Sequence, residues 1–349
     1  MKKVFALIST LLLMTSLFLV GCSSQSEVGG SESSNANSGT KEKEQLLKVA
    51  NYFASDHPQN VALREKFKPI VEENSNGSLK VEIYDNSQLG AEQEFYDGVR
   101  NGTIEMGIPG MIMQSSVEKL GATEWPFLFK DYAHAKKVLT GPIGDELLAD
   151  LEDIHGVHPL AWSANGFRMF SSRDAIESME DFNGMRLRMP NIEHYIALGK
   201  ALGANVTPMP FSEIFTALEQ KVVDGQDNPI ATLRASGWYE VQNYVLESRH
   251  MFSPNLYIIN SNVWTSLSEE QQQVIEKSAK EAAAYEWELM EQQYAENKTF
   301  LEENGMTFIT PSAEFLSEME EAVAPLYEDY YKEYPWAKDI VERIKAEAN

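Results

Sequence analysis

Two arginines share one short run, Gly184-Met185-Arg186-Leu187-Arg188-Met189-Pro190. An arginine on a brief alternating segment stopped by proline can present a guanidinium fork in a fixed direction, and a carboxylate is its bidentate partner. Alternation places Arg186 and Arg188 on the same face of a strand, so spacing does not choose between them. Burying a guanidinium without an anionic or hydrogen-bonding partner is costly. An inward arginine therefore implies a partner, either a carboxylate of the chain or an external one. Another arginine, Arg168, follows Asn165-Gly166-Phe167. Asn228, in Asp224-Gly225-Gln226-Asp227-Asn228-Pro229, can donate to a carboxylate and accept from a hydroxyl, or simply form an Asx turn with Pro229.

Other chemistries lack their residues. His57, His134, His155, His158, His194 and His250 include no His-x-x-x-His pair, and Cys22 is the only cysteine. No zinc-type spacing and no internal disulfide follow from that set. There is no Gly-x-Ser-x-Gly, P-loop or Gly-x-Gly-x-x-Gly, so no metal or cofactor is expected. Carboxylates are abundant enough for a glycosidase-like pair, but nothing positions one. The net charge of −24 argues against a nucleic-acid partner. It also opposes an anionic ligand at long range, leaving local arginines to supply the attraction at contact distance.

The elements that must position these residues read as α/β. Leu47-Lys48-Val49-Ala50 opens the fold as a strand, and His57-Pro58 turns into a helix carrying Leu63, Phe67, Ile70 and Val71. Leu79-Lys80-Val81-Glu82-Ile83-Tyr84 alternates as a strand. A helix through Phe95 and Val99 ends at Asn101-Gly102, and Ile104-Glu105-Met106-Gly107-Ile108 is another strand. Strand–helix–strand spacing implies parallel pairing. One helix is expected over 132–153, and a strand at His158-Pro159-Leu160-Ala161-Trp162 leads to a crossing at 165–168. Further on come a strand 186–189, helices 195–202 and 212–220, a polar turn 224–229 and a return strand 256–259. Ser268 and Gln271 make a capping box for a helix over 269–302, about 50 Å long and long enough to cross two lobes. About 300 folded residues also exceed most single cores and suggest two lobes.

The N-terminus reads as a targeting segment. Lys2 and Lys3 precede a mostly apolar run that ends at Leu19-Val20-Gly21-Cys22, the pattern of a secretion signal over 1–21. Leu-Val-Gly-Cys resembles the bacterial lipobox, which implies lipidation of Cys22. A diacylglyceryl group supplies the two chains that stable anchoring needs. The Ser/Gly/Asn-rich tract within 22–45 is expected to be a tether.

Taken together, Gly184-x-x-x-Arg188-x-Pro190, Asn165-Gly166-Phe167-Arg168, Phe211-Ser212-Glu213-Ile214-Phe215 and Asp224-Gly225-Gln226-Asp227-Asn228-Pro229 resemble the solute-binding proteins of TRAP transporters, the DctP-like family. The resemblance covers about 300 residues. It implies a two-lobed, periplasmic-binding-protein-like (type II-like) α/β fold with crossing strands and a long helix spanning both lobes. By that reading 46–165 plus 252–293 form lobe I, and 166–251 plus 294–349 form lobe II. It also selects Arg188 as the carboxylate anchor, with Arg168 helping beside the hinge. Asn228 and Asn191 are implied ligand contacts, and Phe211 a pocket wall. The family form of the last motif has Glu where this chain has Asp227. Tyr52, His57, Trp125 and Trp162 are first-lobe candidates to cover the ligand. Sialic-acid-binding relatives carry a glutamate near Gly110, which lowers that ligand here.

The resulting expectation is an extracytoplasmic, lipid-anchored protein, not an enzyme. It would capture an organic acid, either a sugar acid such as a uronate or a C4-dicarboxylate, and deliver it to a TRAP-type membrane permease. The alternatives are a secreted hydrolase of acidic sugars and a ligand-sensing receptor subunit without transport.

Overall fold

A computed structural model describes residues 44–348. The expected signal segment, Cys22 and the tether as far as residue 43 lie outside the described residues. Gln45, read as tether, already belongs to the first strand.

One mixed sheet organises the chain. Its strands are β1 (Gln45–Ala50), β2 (Leu79–Tyr84), β3 (Met106–Gly107), β4 (Val157–Ser172), β5 (Arg186–Met189), β6 (Asn205–Pro208), β7 (Gly225–Asn228), β8 (Tyr244–Asn260) and β9 (Thr307–Ile309). The order is β2-β1-β3-β8-β4-β7-β5-β6, with β9 beside β8. β1 lies parallel to β2 and β3, as the strand–helix–strand spacing demands. β5 lies parallel to β6 and β7. β4 and β8 join the two ends as one antiparallel pair running from Val157↔Asn260 to Ser172↔Tyr244.

These long strands are the first departure from the sequence reading, which divided each into a short strand and a connection. Three irregularities interrupt their register, one of them between Ala164 and Gly166. Gly166 sits at φ +110°, a conformation that excludes most side chains. Polar content at Ser163 and Asn165 hides the continuity, because a bulge breaks the two-residue period. Beside it, Glu286 Oε2 accepts the Ala164 N–H at 2.8 Å, tying the long helix to the bulge. Burial pushes that carboxyl well above its ordinary value.

Two further expectations change. The segment 132–153 is three short helices, Tyr132–Leu139, Pro142–Leu148 and Leu151–His155. Pro142 has no N–H to continue the first of them, so Gly141-Pro142 starts a second. The stretch 224–229 is not a turn: Gly225–Asn228 is fully buried strand β7 between β4 and β5. Gly225 pairs with Ser172, and a Cβ there would overlap the Ser171 carbonyl oxygen.

Packing follows the sheet. Leu47, Val49, Phe67, Val81, Ile259 and Ile275 form one core at the β2-β1-β3 end. Phe53, Phe95, Trp125, Leu139 and Trp287 form a neighbouring one. At the β7-β5-β6 end, Phe170, Leu187, Met189, Leu198 and Met319 pack together, as do Ile214, Leu218, Val223, Trp238 and Leu301. The Ser268–Gln271 capping box is present. The helix that it starts runs Glu269–Gln292, breaks at Gln293 and resumes as Tyr294–Glu303. Ile275 sits in a core at one end of the sheet and Leu301 in a core at the other, so the pair spans both. The last helix, Ala337–Ala346, places Ile340, Val341 and Ile344 with Trp125 and Leu139. It packs with the first end rather than the second. Among the described residues, no helix is long and apolar enough to cross a membrane.

Gly225→Ala should destabilise the protein by about 1–3 kcal/mol through overpacking, read as a lower urea midpoint. An unchanged midpoint would show that β4 and β7 are not packed this closely.

Candidate functional site

β5 delivers its two arginines to different surroundings. Arg186, at the strand start, is exposed and forks the Asp224 carboxylate, Nε to Oδ2 at 2.9 Å. Arg188 is 3% exposed. Its Nε and Nη2 donate to the Met209 carbonyl oxygen at 3.1 and 2.7 Å, and no carboxylate among the described residues forms an ion pair with it. Nη1 makes no hydrogen bond among the described residues. Burial lowers the Arg188 guanidinium to about 10; the nearby charges of Asp227 and Glu92 oppose this and that of Arg168 adds to it. It remains a cation at neutral pH, buried and without a counter-charge in contact.

Arg168 on β4 is equally buried but paired. Nε and Nη2 reach Asp227 Oδ2 and Oδ1 at 2.6 and 3.0 Å, and the guanidinium lies 4.8 Å from the Tyr195 ring centroid. β4 and β7 are adjacent strands, which brings this pair together across the ladder. Burial raises the Asp227 carboxyl, but the Arg168 charge and hydrogen bonds from His250 and Arg168 outweigh it, holding the group well below the carboxylate range. His250 Nε2 stands 3.4 Å from Asp227 Oδ2, and its other ring nitrogen meets Ser248 Oγ at 2.8 Å. Asp227, the departure from the family motif, thus occupies Arg168 internally. Among the described residues, Nη1 of Arg168 makes no hydrogen bond.

A cleft of about 710 Å³ opens over Arg188, walled by Glu92, Gln114, Asn191, His194 and Phe211 among others. Phe211 packs on Tyr52, ring centroids 4.9 Å apart. Tyr52 Oη donates to Asn255 Oδ1 at 3.1 Å. Across from them, Glu124 Oε1 accepts from Tyr195 Oη at 2.5 Å and Ser253 Oγ at 2.7 Å, and Oε2 from Gln114 at 2.8 Å. Asn255 Nδ2, Gln114 Oε1 and His194 Nδ1 are buried and have no partner. Unmatched buried polar atoms are rare in folded proteins; here Gln114 and His194 line the cleft, and Asn255 lies against Tyr52 and Gly110.

The structure brings together Arg188, Asn191, Phe211 and Tyr52, with Arg168 alongside. Asn228 is buried on β7 and donates Nδ2 to Gln226 Oε1 at 2.7 Å. The other candidates are engaged elsewhere. His57 caps the helix Pro58–Ala62, meets Thr232 Oγ1 at 3.1 Å and stacks on Phe53. Burial lowers it to about 3, so it stays neutral. Trp125 packs among Tyr327, Tyr330 and His194. Trp162 walls a groove lined also by Trp287 and Lys280, not the cleft. Among the described residues, no group of three or more His, Cys, Asp or Glu side chains is placed to hold a metal.

Sequence reasoning missed Glu92, Glu124, Gln114 and Asn255. Glu92 reads as an ordinary acidic first-turn residue of the helix Glu92–Asn101. Yet its Oε1 accepts the Gly110 N–H at 2.7 Å. A carboxylate therefore stands at Gly110 although the local sequence there has none.

The family model of bacterial extracellular solute-binding proteins, family 7 (DctP), matches residues 49–334. The chain belongs to this family. A TRAP periplasmic solute-binding protein of Haemophilus influenzae, solved with bound L-gulonate, superposes with a TM-score of 0.84 at 42% identity, over 86% of this chain and 99% of that one. The sugar-acid-binding protein DctPAm of Advenella mimigardefordensis, in complex with galactonate, gives 0.83 at 30% identity, over 88% and 98%. The 2,3-diketo-L-gulonate-binding periplasmic protein YiaO of Escherichia coli is 35% identical over 76% of this chain and 81% of its own. As a DctP-family member, the chain has the two-lobed periplasmic-binding fold, and its family is extracytoplasmic. The relatives named above are solute-binding proteins.

Asp227→Asn would leave Arg168 buried without its counter-charge and should cost about 3–5 kcal/mol. Because the Asp227 carboxyl is depressed in the fold, its contribution is full above its ordinary value of 3.8 and is lost as pH falls below that. Denaturant melts from pH 7 to pH 3 should show this loss in the native protein and a flatter profile in the variant. Equal profiles would remove the pair from the stability of the fold.

Proposed function

We propose that this protein captures a sugar acid, an aldonate or uronate, by its carboxylate on Arg188, and delivers it to a TRAP-type membrane permease. The observation that carries the reading is the lone buried guanidinium of Arg188, held by one carbonyl oxygen and facing a cleft. A ligand carboxylate supplies the missing charge in fork geometry. Nη1 of Arg168 and the amide of Asn191 are the further donors assigned to it, Asn228 supports the strand beneath, and Phe211 and Tyr52 cover the ligand.

The lobes are assigned as 46–165 plus 252–293 and 166–251 plus 294–349, except that 337–346 packs on the first. β4 and β8 are the crossing strands, and closure about them buries the ligand. Tyr195 donating to Glu124 is a contact between the lobes so assigned. Secretion by the segment 1–21, lipidation at Cys22 and a tether over the residues that follow would hold the protein beside the permease. The reading includes no catalytic step. The relatives solved with gulonate and galactonate favour sugar acids over C4-dicarboxylates.

A thermal-shift panel of sugar acids tests it. Ligand at about 100 times its dissociation constant should add about 2.7 kcal/mol to the stability. Arg188→Ala should fold and lose about 2–5 kcal/mol of affinity by calorimetry. Affinity unchanged in that variant would remove the anchor, and no shift with any sugar acid would remove the ligand class.

A further inference from the structure

Arg188 lines the cleft as a buried cation with no ion pair among the described residues, and of the carboxylates along the wall, Glu92, Glu118, Glu193 and Glu333, it is Glu92 that stands at Gly110. Arg168 is matched by Asp227, and Glu124 is enclosed by Tyr195, Ser253 and Gln114. That leaves Arg188 for a single ligand carboxylate. Glu92 uses Oε1 on the Gly110 N–H, and Oε2 makes no hydrogen bond among the described residues. Both Glu92 and Asn255 gather at Gly110: a Cβ there would lie 3.2 Å from Glu92 Oε1, 3.4 Å from Tyr52 Oη and 3.8 Å from Asn255 Oδ1. Asn255 is fully buried, its Oδ1 is taken by Tyr52, and its Nδ2 has no partner.

A hydroxyl both donates and accepts. It can therefore satisfy a carboxylate oxygen and an amide N–H together. A second carboxylate on the ligand can accept from Asn255 but has nothing to donate to Glu92, and it meets Glu92 as a like charge in a partly dehydrated cleft. We propose that Glu92, with Asn255, is the specificity-determining pair of this site: it takes a ligand hydroxyl and rejects a second carboxylate, so the protein selects polyhydroxy monocarboxylic acids over diacids. The inference rests on the sugar-acid reading above.

The protonation of Glu92 provides a variant-free check. The charged and titratable groups that act on it are Glu124, Arg188, Arg168 and Tyr52, and Glu118, Glu193, His194, Glu333 and Tyr334 wall the same cleft. Protein packs around Glu92 although it is only half-buried by surface area. That burial, with Glu124 adding to it, pushes the carboxyl up to about 7 despite the Gly110 N–H and the two arginines. As pH falls from 8 to 6, Glu92 takes up a proton and its repulsion of a diacid weakens, while the diacid itself stays doubly ionised.

Calorimetry on the full chain with gulonate and its diacid counterpart glucarate, and with galactonate and galactarate, tests the inference. The native protein should bind the better monoacid at least tenfold more tightly than its diacid at pH 8, and this preference should fall at least fivefold at pH 6. Glu92→Gln keeps an acceptor for Gly110. It should raise the diacid-to-monoacid affinity ratio at least tenfold and abolish its pH dependence. A ratio changed by less than twofold in the variant, or a native ratio that does not move with pH, overturns the role of Glu92. Native protein that binds diacids and monoacids equally overturns it as well. No binding of any sugar acid by the native protein would instead overturn the underlying ligand assignment.

Discussion

Taking a guanidinium out of water is among the more expensive acts a fold can perform, and this chain does it twice, on the two strands that flank β7. The two cases are resolved differently. Arg168 receives a carboxylate from the neighbouring strand, and the Asp227–His250–Ser248 chain behind it holds that carboxylate in place. Arg188 receives only the Met209 carbonyl oxygen. A dipole offsets part of a cation's desolvation but leaves its charge unmatched. The protein as folded is therefore incomplete at that point, in a way that an anion completes.

The rest of the architecture serves that placement. β4 and β8 carry a continuous ladder from one end of the sheet to the other. β7 inserts beside β4, so Asp227 meets Arg168 from the next strand. Gly225 permits the close approach that this insertion needs. β5 pairs with β7 and brings Arg188 alongside. The bulge at Gly166, held by Glu286 from the long helix, marks an irregular point in the crossing ladder. Irregular backbone at such a point bends more readily than a regular ladder.

Charge works on two scales here. The net charge of −24 is spread over the surface and is screened within about a Debye length. Inside the cleft the dielectric is low and the nearest charges dominate. An acidic protein can thus present a buried cation to a ligand: Asp227 is neutralised by Arg168 and Glu124 is enclosed by hydrogen bonds, while Glu92 keeps one oxygen free. The unmatched atoms of Asn255, Gln114 and His194 extend the same logic to polar groups.

The sequence by itself determined the α/β class, most strands and helices, the capping box at Ser268, the family, and a short set of candidate residues that included Arg188, Asn191, Phe211 and Tyr52. Those features are local: period, caps and turn residues act over a few positions of chain. Only the tertiary structure decided which arginine is buried, because Arg186 and Arg188 share a strand face and differ only in how far into the sheet they lie. It decided that Gly225–Asn228 is an inner strand, since a polar run becomes strand only when neighbours on both sides take its backbone hydrogen bonds. It packed His57, Trp125 and Trp162 against other side chains, outside the lining of the cleft. It also supplied Glu92 and Asn255, separated by 163 positions in the numbering yet gathered at one glycine. No spacing rule reaches that far, because such neighbours are chosen by packing rather than by the chain.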